Sequence, residues 1–272
     1  MRIVHRIGLR ASPKQRRELE ALGVKLSAGI ELPGGRGEPL LAFDVDEDHP
    51  HWATLRELFR AWRASDIPRT LFTKQEIAAA RWLQIMAWNH GYPYPEPDDF
   101  GYLQATYDLG GDWCEPCGVG KVQRAPFQMK SEPGWGRNGI LQLHWVPDEL
   151  FVKPEVWDSV FRPAGIACRP VLNTRGAELT TVVQLVMPEE EVGIVTAGLP
   201  SERCARCGRV KYLPETRGPF PPLAGEPKGA MARTAEQLGS GGLAGKWVLI
   251  SQELTAALTA YGLRGADLWP VK

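Results

Sequence analysis

Four of the five cysteines in this chain fall into two pentapeptides of one form, Cys114-Glu115-Pro116-Cys117-Gly118 and Cys204-Ala205-Arg206-Cys207-Gly208. A C-x-x-C-G turn aims two sulfurs at one point, and its glycine takes φ > 0 without a Cβ clash. Backbone N–H groups can then turn towards the sulfurs. Two such turns are what a four-thiolate tetrahedral metal site requires. The reading that follows is one shared structural Zn²⁺ on Cys114, Cys117, Cys204 and Cys207. An iron site, a disulfide pair and free thiols are the alternatives, and four sulfurs do not distinguish iron from zinc.

Other cysteine chemistry fits the pattern less well. Neither motif opens a helix after a buried strand, so a thioredoxin-like redox pair is disfavoured. Four thiolates close a zinc site, whereas catalysis needs an open position. Pro116-Cys117 is similar to part of the deaminase signature, but the cysteines are offset and no H-x-E precedes them. Cys168 reads as a small hydrophobe.

With 272 residues the chain can bury a sizeable core as one large domain or two small ones. Its formal charge is zero, which argues against a general nucleic-acid binder. No apolar run approaches a membrane span, and Met1-Arg2-Ile3-Val4-His5-Arg6 lacks a signal-peptide core. The expected location is cytoplasmic, where thiols stay reduced. Ten tryptophans supply core, with some left over as partner anchors.

The expected fold class is α+β, a mixed arrangement with a structural zinc site formed by the two turns. An N-terminal α/β part is expected over 1–99 and a cysteine-bearing α+β part over 100–272, together forming one compact unit. Ser12-Pro13-Lys14-Gln15 is a capping-box helix start, with the helix ending at Gly23. Strands are expected over 24–32 and 40–45 on either side of the turn 33–37. Trp52, Leu55, Phe59 and Trp62 recur at helical spacing. A second capping box at Thr73-Lys74-Gln75-Glu76 precedes Ile77, Ala78, Trp82, Ile85 and Met86, read as one helical face and as core. The Pro- and Tyr-rich stretch 91–99 reads as a loop.

Further strands are expected over 140–146, 179–186, 246–250 and 266–271. A short helix is expected over 154–161, and another capped by Ser251 and stopped by Gly262. The stretch 214–230 holds five prolines and reads as irregular. A faint internal echo relates Trp145-Val146, a helix and Gly165 to Trp247-Val248, a helix and Gly262; each copy lies downstream of a cysteine pair.

Motif chemistry outside the cysteines is sparse. There is no P-loop, no dinucleotide fingerprint, no nucleophile elbow and no H-E-x-x-H. His49 and His51 beside Asp46, Glu47 and Asp48 read as a solvated helix start. The acids Glu38, Asp44, Asp46, Glu47 and Asp48 form a cluster, with Asp98 and Asp99 expected nearby; it reads either as a solvated loop or as a face for a basic partner. Arg203, Arg206, Arg209 and Lys211 surround the second cysteine pair. They read as charge compensation for the thiolates, as Lys121 and Arg124 do at the first; phosphate contact is the alternative.

The paired turns, about ninety residues apart, resemble the double-CXXCG-motif family of myxobacterial immunity proteins. The ending is also similar: Trp247-Val248-Leu249-Ile250-Ser251, a helix, Gly262-Leu263-Arg264-Gly265, then Leu268-Trp269-Pro270-Val271. The resemblance implies a non-enzymatic, cytoplasmic antidote that binds the C-terminal domain of a cognate swarm-inhibition toxin. Only the four cysteines carry over by position. The acidic cluster is then the expected contact if the toxin is a nuclease with a basic active site. A zinc-ribbon-like nucleic-acid-binding module is the alternative function.

Overall fold

The computed structural model describes residues 1–30, 39–87, 93–213 and 216–272. The fold is mixed helix and sheet, mostly sheet with few helices. Its contacts divide the chain into two compact units, Met1–Thr73 with Glu215–Pro219, and Lys74–Pro214 with Phe220–Lys272. The described residues of 74–99, grouped with the N-terminal part on sequence grounds, fall in the larger unit, to which they contribute an inner strand.

The smaller unit is a three-stranded antiparallel sheet in the order β2-β1-β3, from β1 (Arg2–Arg10), β2 (Leu40–Asp46) and β3 (Ser65–Leu71). Helices α1 (Pro13–Ala21) and α2 (Trp52–Ala61) cover one face. Ser12 caps α1 with a complete capping box, and Gly23 follows at φ 85°. Ile7, Leu9, Leu41, Phe43, Leu19, Leu55 and Phe59 form the core between sheet and helices. The strand expected over 24–32 is not formed in its described part. Only an isolated bridge, Ile30 to Leu40, is present, and 31–32 lie outside the described residues, as does the turn 33–37.

The larger unit holds a two-stranded sheet of β5 (Tyr107–Asp108) and β6 (Val122–Gln123), a three-stranded sheet in the order β13-β14-β16 from β13 (Ser201–Arg203), β14 (Val210–Tyr212) and β16 (Gln237–Leu238), and two five-stranded sheets. One has the order β7-β10-β11-β9-β8, from β7 (Gln128–Met129), β8 (Ile140–Leu143), β9 (Val146–Val152), β10 (Cys168–Asn173) and β11 (Glu178–Leu185). The other has the order β12-β15-β17-β4-β18, from β4 (Trp82–Met86), β12 (Glu191–Val192), β15 (Met231–Thr234), β17 (Val248–Ser251) and β18 (Asp267–Pro270). Among the described residues five short helical pieces accompany them: α3 (Lys74–Ala79), α4 (Tyr102–Thr106), α5 (Pro154–Val156), which runs on as a π-turn over Trp157–Phe161, a 3₁₀ turn over Gly241–Leu243, and α6 (Gln252–Tyr261). A single core takes Leu83 and Ile85 from β4, Leu150 and Val152 from β9, Val156 and Phe161 after it, and Val248, Ile250, Leu254 and Leu258. Both sheets and both longer helical segments therefore share one interior.

The helical face expected to run through Trp82, Ile85 and Met86 is instead split. Helix α3 ends at Ala79, and Trp82–Met86 is a strand buried at every position. A strand covered on both faces shows no polar alternation, so its apolar run matches a helical stripe equally well. Its even and odd side chains separate, Leu83 and Ile85 into the shared core, Trp82 and Met86 into a second core with Trp247 and Phe220.

The two echoing segments occupy equivalent places. Strand β9, the helical turn after it and β10 form a split β–α–β unit, with antiparallel β11 between the strands. Strand β17, α6 and β18 form another, with β4 between them. Ser251 caps α6 through Leu254 N–H, and Gly262 ends it at φ 76°.

Candidate metal centre

The two C-x-x-C-G turns have the same backbone. Cys114 N–H donates to Val119 O at 2.9 Å, and Gly118 N–H donates to Cys114 O at 2.7 Å. In the other, Cys204 N–H donates to Arg209 O and Gly208 N–H to Cys204 O, both at 2.9 Å. Gly118 and Gly208 take φ of 72° and 75°, a region that disfavours a Cβ. Beside Gly118 the need for glycine is also spatial, because a Cβ there would lie 2.1 Å from Gly242 O.

The turns bring four sulfurs together. The Sγ atoms of Cys114, Cys117, Cys204 and Cys207 all lie within 4.8 Å of one another. Cys114 and Cys204 sulfurs are 3.7 Å apart, and those of Cys117 and Cys207 3.6 Å. Metal–sulfur bonds of about 2.3 Å in a tetrahedron put sulfurs about 3.8 Å apart, while a disulfide needs about 2.05 Å. The donor set and its spacing therefore fit a metal ion and not a disulfide. Cys114 and Cys117 are buried, Cys204 is half-buried and Cys207 is exposed. Burial pushes the Cys114 thiol up to about 12. Backbone N–H groups of Cys207 and Arg206, pointing at the Cys204 sulfur, hold that thiol down at about 6. One ligand is thus ready as thiolate, and a cation would draw the proton from its buried neighbour.

Comparison of the sequence with protein-family models finds no match, and neither does comparison with curated proteins. The chemistry of the centre must be read from its own surroundings.

The basic residues near the second pair are already engaged. Arg203 Nη1 donates to Gly208 O at 2.6 Å, Arg206 meets Glu115 at 3.5 Å, and Arg209 donates to Asp112 O at 2.6 Å. Lys211 is buried, bonded to Gly241 O at 2.9 Å and paired with Glu202. The first and second cysteine segments are thereby tied by Arg206 and Arg209. Cys168 starts β10, half-buried and away from the cluster.

The acids expected as a partner face lie elsewhere, in the smaller unit. Asp44 and Asp46 alternate with buried Phe43 and Val45 on β2, so they occupy its outer face. There Asp44 bonds Arg6 at 3.2 Å and Arg69 at 2.6 Å, and Asp46 bonds Arg2 at 2.9 Å. Glu47 bonds His5 at 2.9 Å and Arg217 at 2.6 Å. The Arg217 guanidinium holds the Glu47 carboxyl below its usual range. Asp48 is exposed, and Glu38 lies outside the described residues. His51 N–H donates to His49 Nδ1 at 3.2 Å, which makes a local turn at the start of α2.

Sequence reading passed over two groups. Tyr94 and Phe100, each about half exposed, pack on His144 and Trp145, with ring centroids 4.1 Å apart for Tyr94–His144 and 4.6 Å for Phe100–Trp145. Tyr107, Glu149 and Arg233 meet around a cleft. Their positions are scattered along the chain with no motif, so nothing in the sequence groups them.

Proposed function

We propose that Cys114, Cys117, Cys204 and Cys207 hold one structural Zn²⁺, and that the chain is an immunity-type binding protein that neutralises a cognate toxin domain by direct contact. The metal part is carried by one observation: four sulfurs at tetrahedral spacing on two turns of the same backbone. Zinc is favoured over iron by its prevalence in closed four-thiolate structural sites. Bound there, it would supply cross-linking of two segments and charge for the thiolates, with no catalytic step.

The binding part is supported by the aromatic group. Phe100 and Trp145 keep φ of 65° and 63°, conformations that cost a non-glycine residue about 1 kcal/mol or more. Phe100 and Tyr94 stand half exposed against Trp145, which is itself half-buried on the core, and surface aromatic residues often anchor protein contacts. The paired state of Asp44, Asp46 and Glu47 moves the proposed contact away from the acidic cluster and on to this group.

The test is co-expression of the chain with the toxin domain encoded beside its gene. Survival of a sensitive host and a co-purifying complex are expected. Tyr94→Ala with Phe100→Ala should weaken the complex by about 30-fold or more. No rescue and no complex with a toxin proven active would overturn the binding part. Elemental analysis of the purified chain decides the metal part, with one zinc per chain expected and iron or no metal against it.

A further inference from the structure

In the larger unit a cleft of about 600 Å³ opens where β5 (Tyr107–Asp108) and β6 (Val122–Gln123) meet residues of β9, β10 and β15. We infer that this cleft binds a small organic anion bearing hydroxyl groups, through Tyr107, Asp148, Arg169 and Arg233. The inference is independent of the immunity reading, which needs no pocket.

Unmatched hydrogen-bonding atoms point to a ligand. Six buried side-chain polar atoms lack a hydrogen-bond partner among the described residues, and three belong to residues lining this cleft: Tyr107 Oη, Asp148 Oδ1 and Arg233 Nε. Each such atom carries the desolvation cost of an unmade bond, so buried groups of this kind are rarely left without one. Tyr107 is only 3% exposed. Burial raises its hydroxyl well above the ordinary range, so it stays neutral and can both donate and accept.

The charges in the cleft decide the class. Glu149 is buried and bonded by Arg233 Nη2 at 2.6 Å and Gln184 at 2.9 Å, which fixes the guanidinium and leaves its Nε–H free. Lys121 Nζ forms an ion pair with Asp148 Oδ1 at 3.8 Å, too long for a hydrogen bond, and stands 5.0 Å over the Tyr107 ring. Arg169 is half-buried and has no ion pair among the described residues. Glu189, which also lines the cleft, is exposed, where water screens it. The other cations of the cleft, Lys121, Arg209 and Lys246, are ion-paired, so the donors that remain are Arg233 Nε and the Arg169 guanidinium, which suit a carboxylate or phosphate. Tyr107 Oη and Asp148 Oδ1 remain to receive the hydroxyls of the same molecule. A cleft of this size fits a ligand of sugar-acid or sugar-phosphate dimensions.

The probes are glucose 6-phosphate and gluconate, with inorganic phosphate and glucose as controls that carry only the anion or only the hydroxyls. Calorimetric titration and thermal shift of the full chain should show at least one probe binding more tightly than either control. Arg169→Ala and Tyr107→Phe should each weaken that binding by about tenfold. Tyr107→Phe should leave the Tm of the ligand-free protein unchanged or raised, because the lost hydroxyl had no partner. No binding by either probe would overturn the inference, as would binding that both variants retain in full. A lower Tm in ligand-free Tyr107→Phe would also count against it, by showing that the hydroxyl serves the fold.

Discussion

Arg217 donates from both terminal nitrogens to the Glu47 carboxylate, at 2.6 and 3.0 Å. The residue pair joins a late segment of the chain to the end of β2 within the smaller unit. Glu47 has its folded-state pKa depressed, first by this bond. Its contribution is therefore present above the unfolded carboxyl value of about 4.3 and is lost as pH falls through the lower folded value. Arg217 is half exposed, so solvent limits the pair to about 1 kcal/mol. Urea unfolding should show that Glu47→Gln costs about this much at pH 7 and nothing near pH 3. A gap between the two proteins that persists at pH 3 would refute the assignment.

The two turn glycines should not be equal. A Cβ at Gly208 meets nothing within 4 Å, so Gly208→Ala carries only the strain of its positive φ, about 1 kcal/mol. At Gly118 the same change also drives the Cβ into Gly242 O. Gly118→Ala should lower Tm clearly more than Gly208→Ala, and equal melting curves would contradict the close approach.

Metal loss should unfold what the sulfurs hold together. Cys114→Ser and Cys207→Ser are each expected to reduce bound metal to well below one per chain and to lower Tm by at least about 5 °C. A strong chelator should lower the Tm of the parent protein and leave the variants' Tm unchanged. Variants with parental metal content and melting would remove the site.

Lys211 and Glu202 give an asymmetric test. Lys211 is 2% exposed, whereas the Glu202 side chain is 45% exposed. Lys211→Met frees a carboxylate that water can solvate. Glu202→Gln leaves an ammonium in the interior with Gly241 O and a neutral amide. The second change should therefore lower Tm more than the first, and differential scanning calorimetry of the two variants would expose a reversed order.

What the sequence makes legible here is chemistry with short reach. The caps at Ser12 and Ser251 and the helix stop at Gly262 are local hydrogen-bond and φ requirements, and each stands where the residues announce it. The cysteine cluster is legible too, because two C-x-x-C-G turns state their own geometry. Strand β4 is not, since its burial on both faces depends on partners far along the chain. Strands β1 and β3 are not legible either, because arginines and Pro68 interrupt their apolar positions. The acids illustrate a different limit. Composition shows Asp44, Asp46 and Glu47 as a run, but only the register Arg6 opposite Asp44 reveals them as cross-strand partners.

Strand β4 has as its two neighbours β17 and β18, both drawn from the C-terminal end of the chain. During synthesis, Leu83 and Ile85 leave the ribosome long before the strands that cover their edges. At the usual pace of translation this interval lasts on the order of ten seconds or more. A nascent chain of this protein therefore carries a sticky, unpaired strand through most of its elongation, and a truncation that removes β18 would expose that edge permanently.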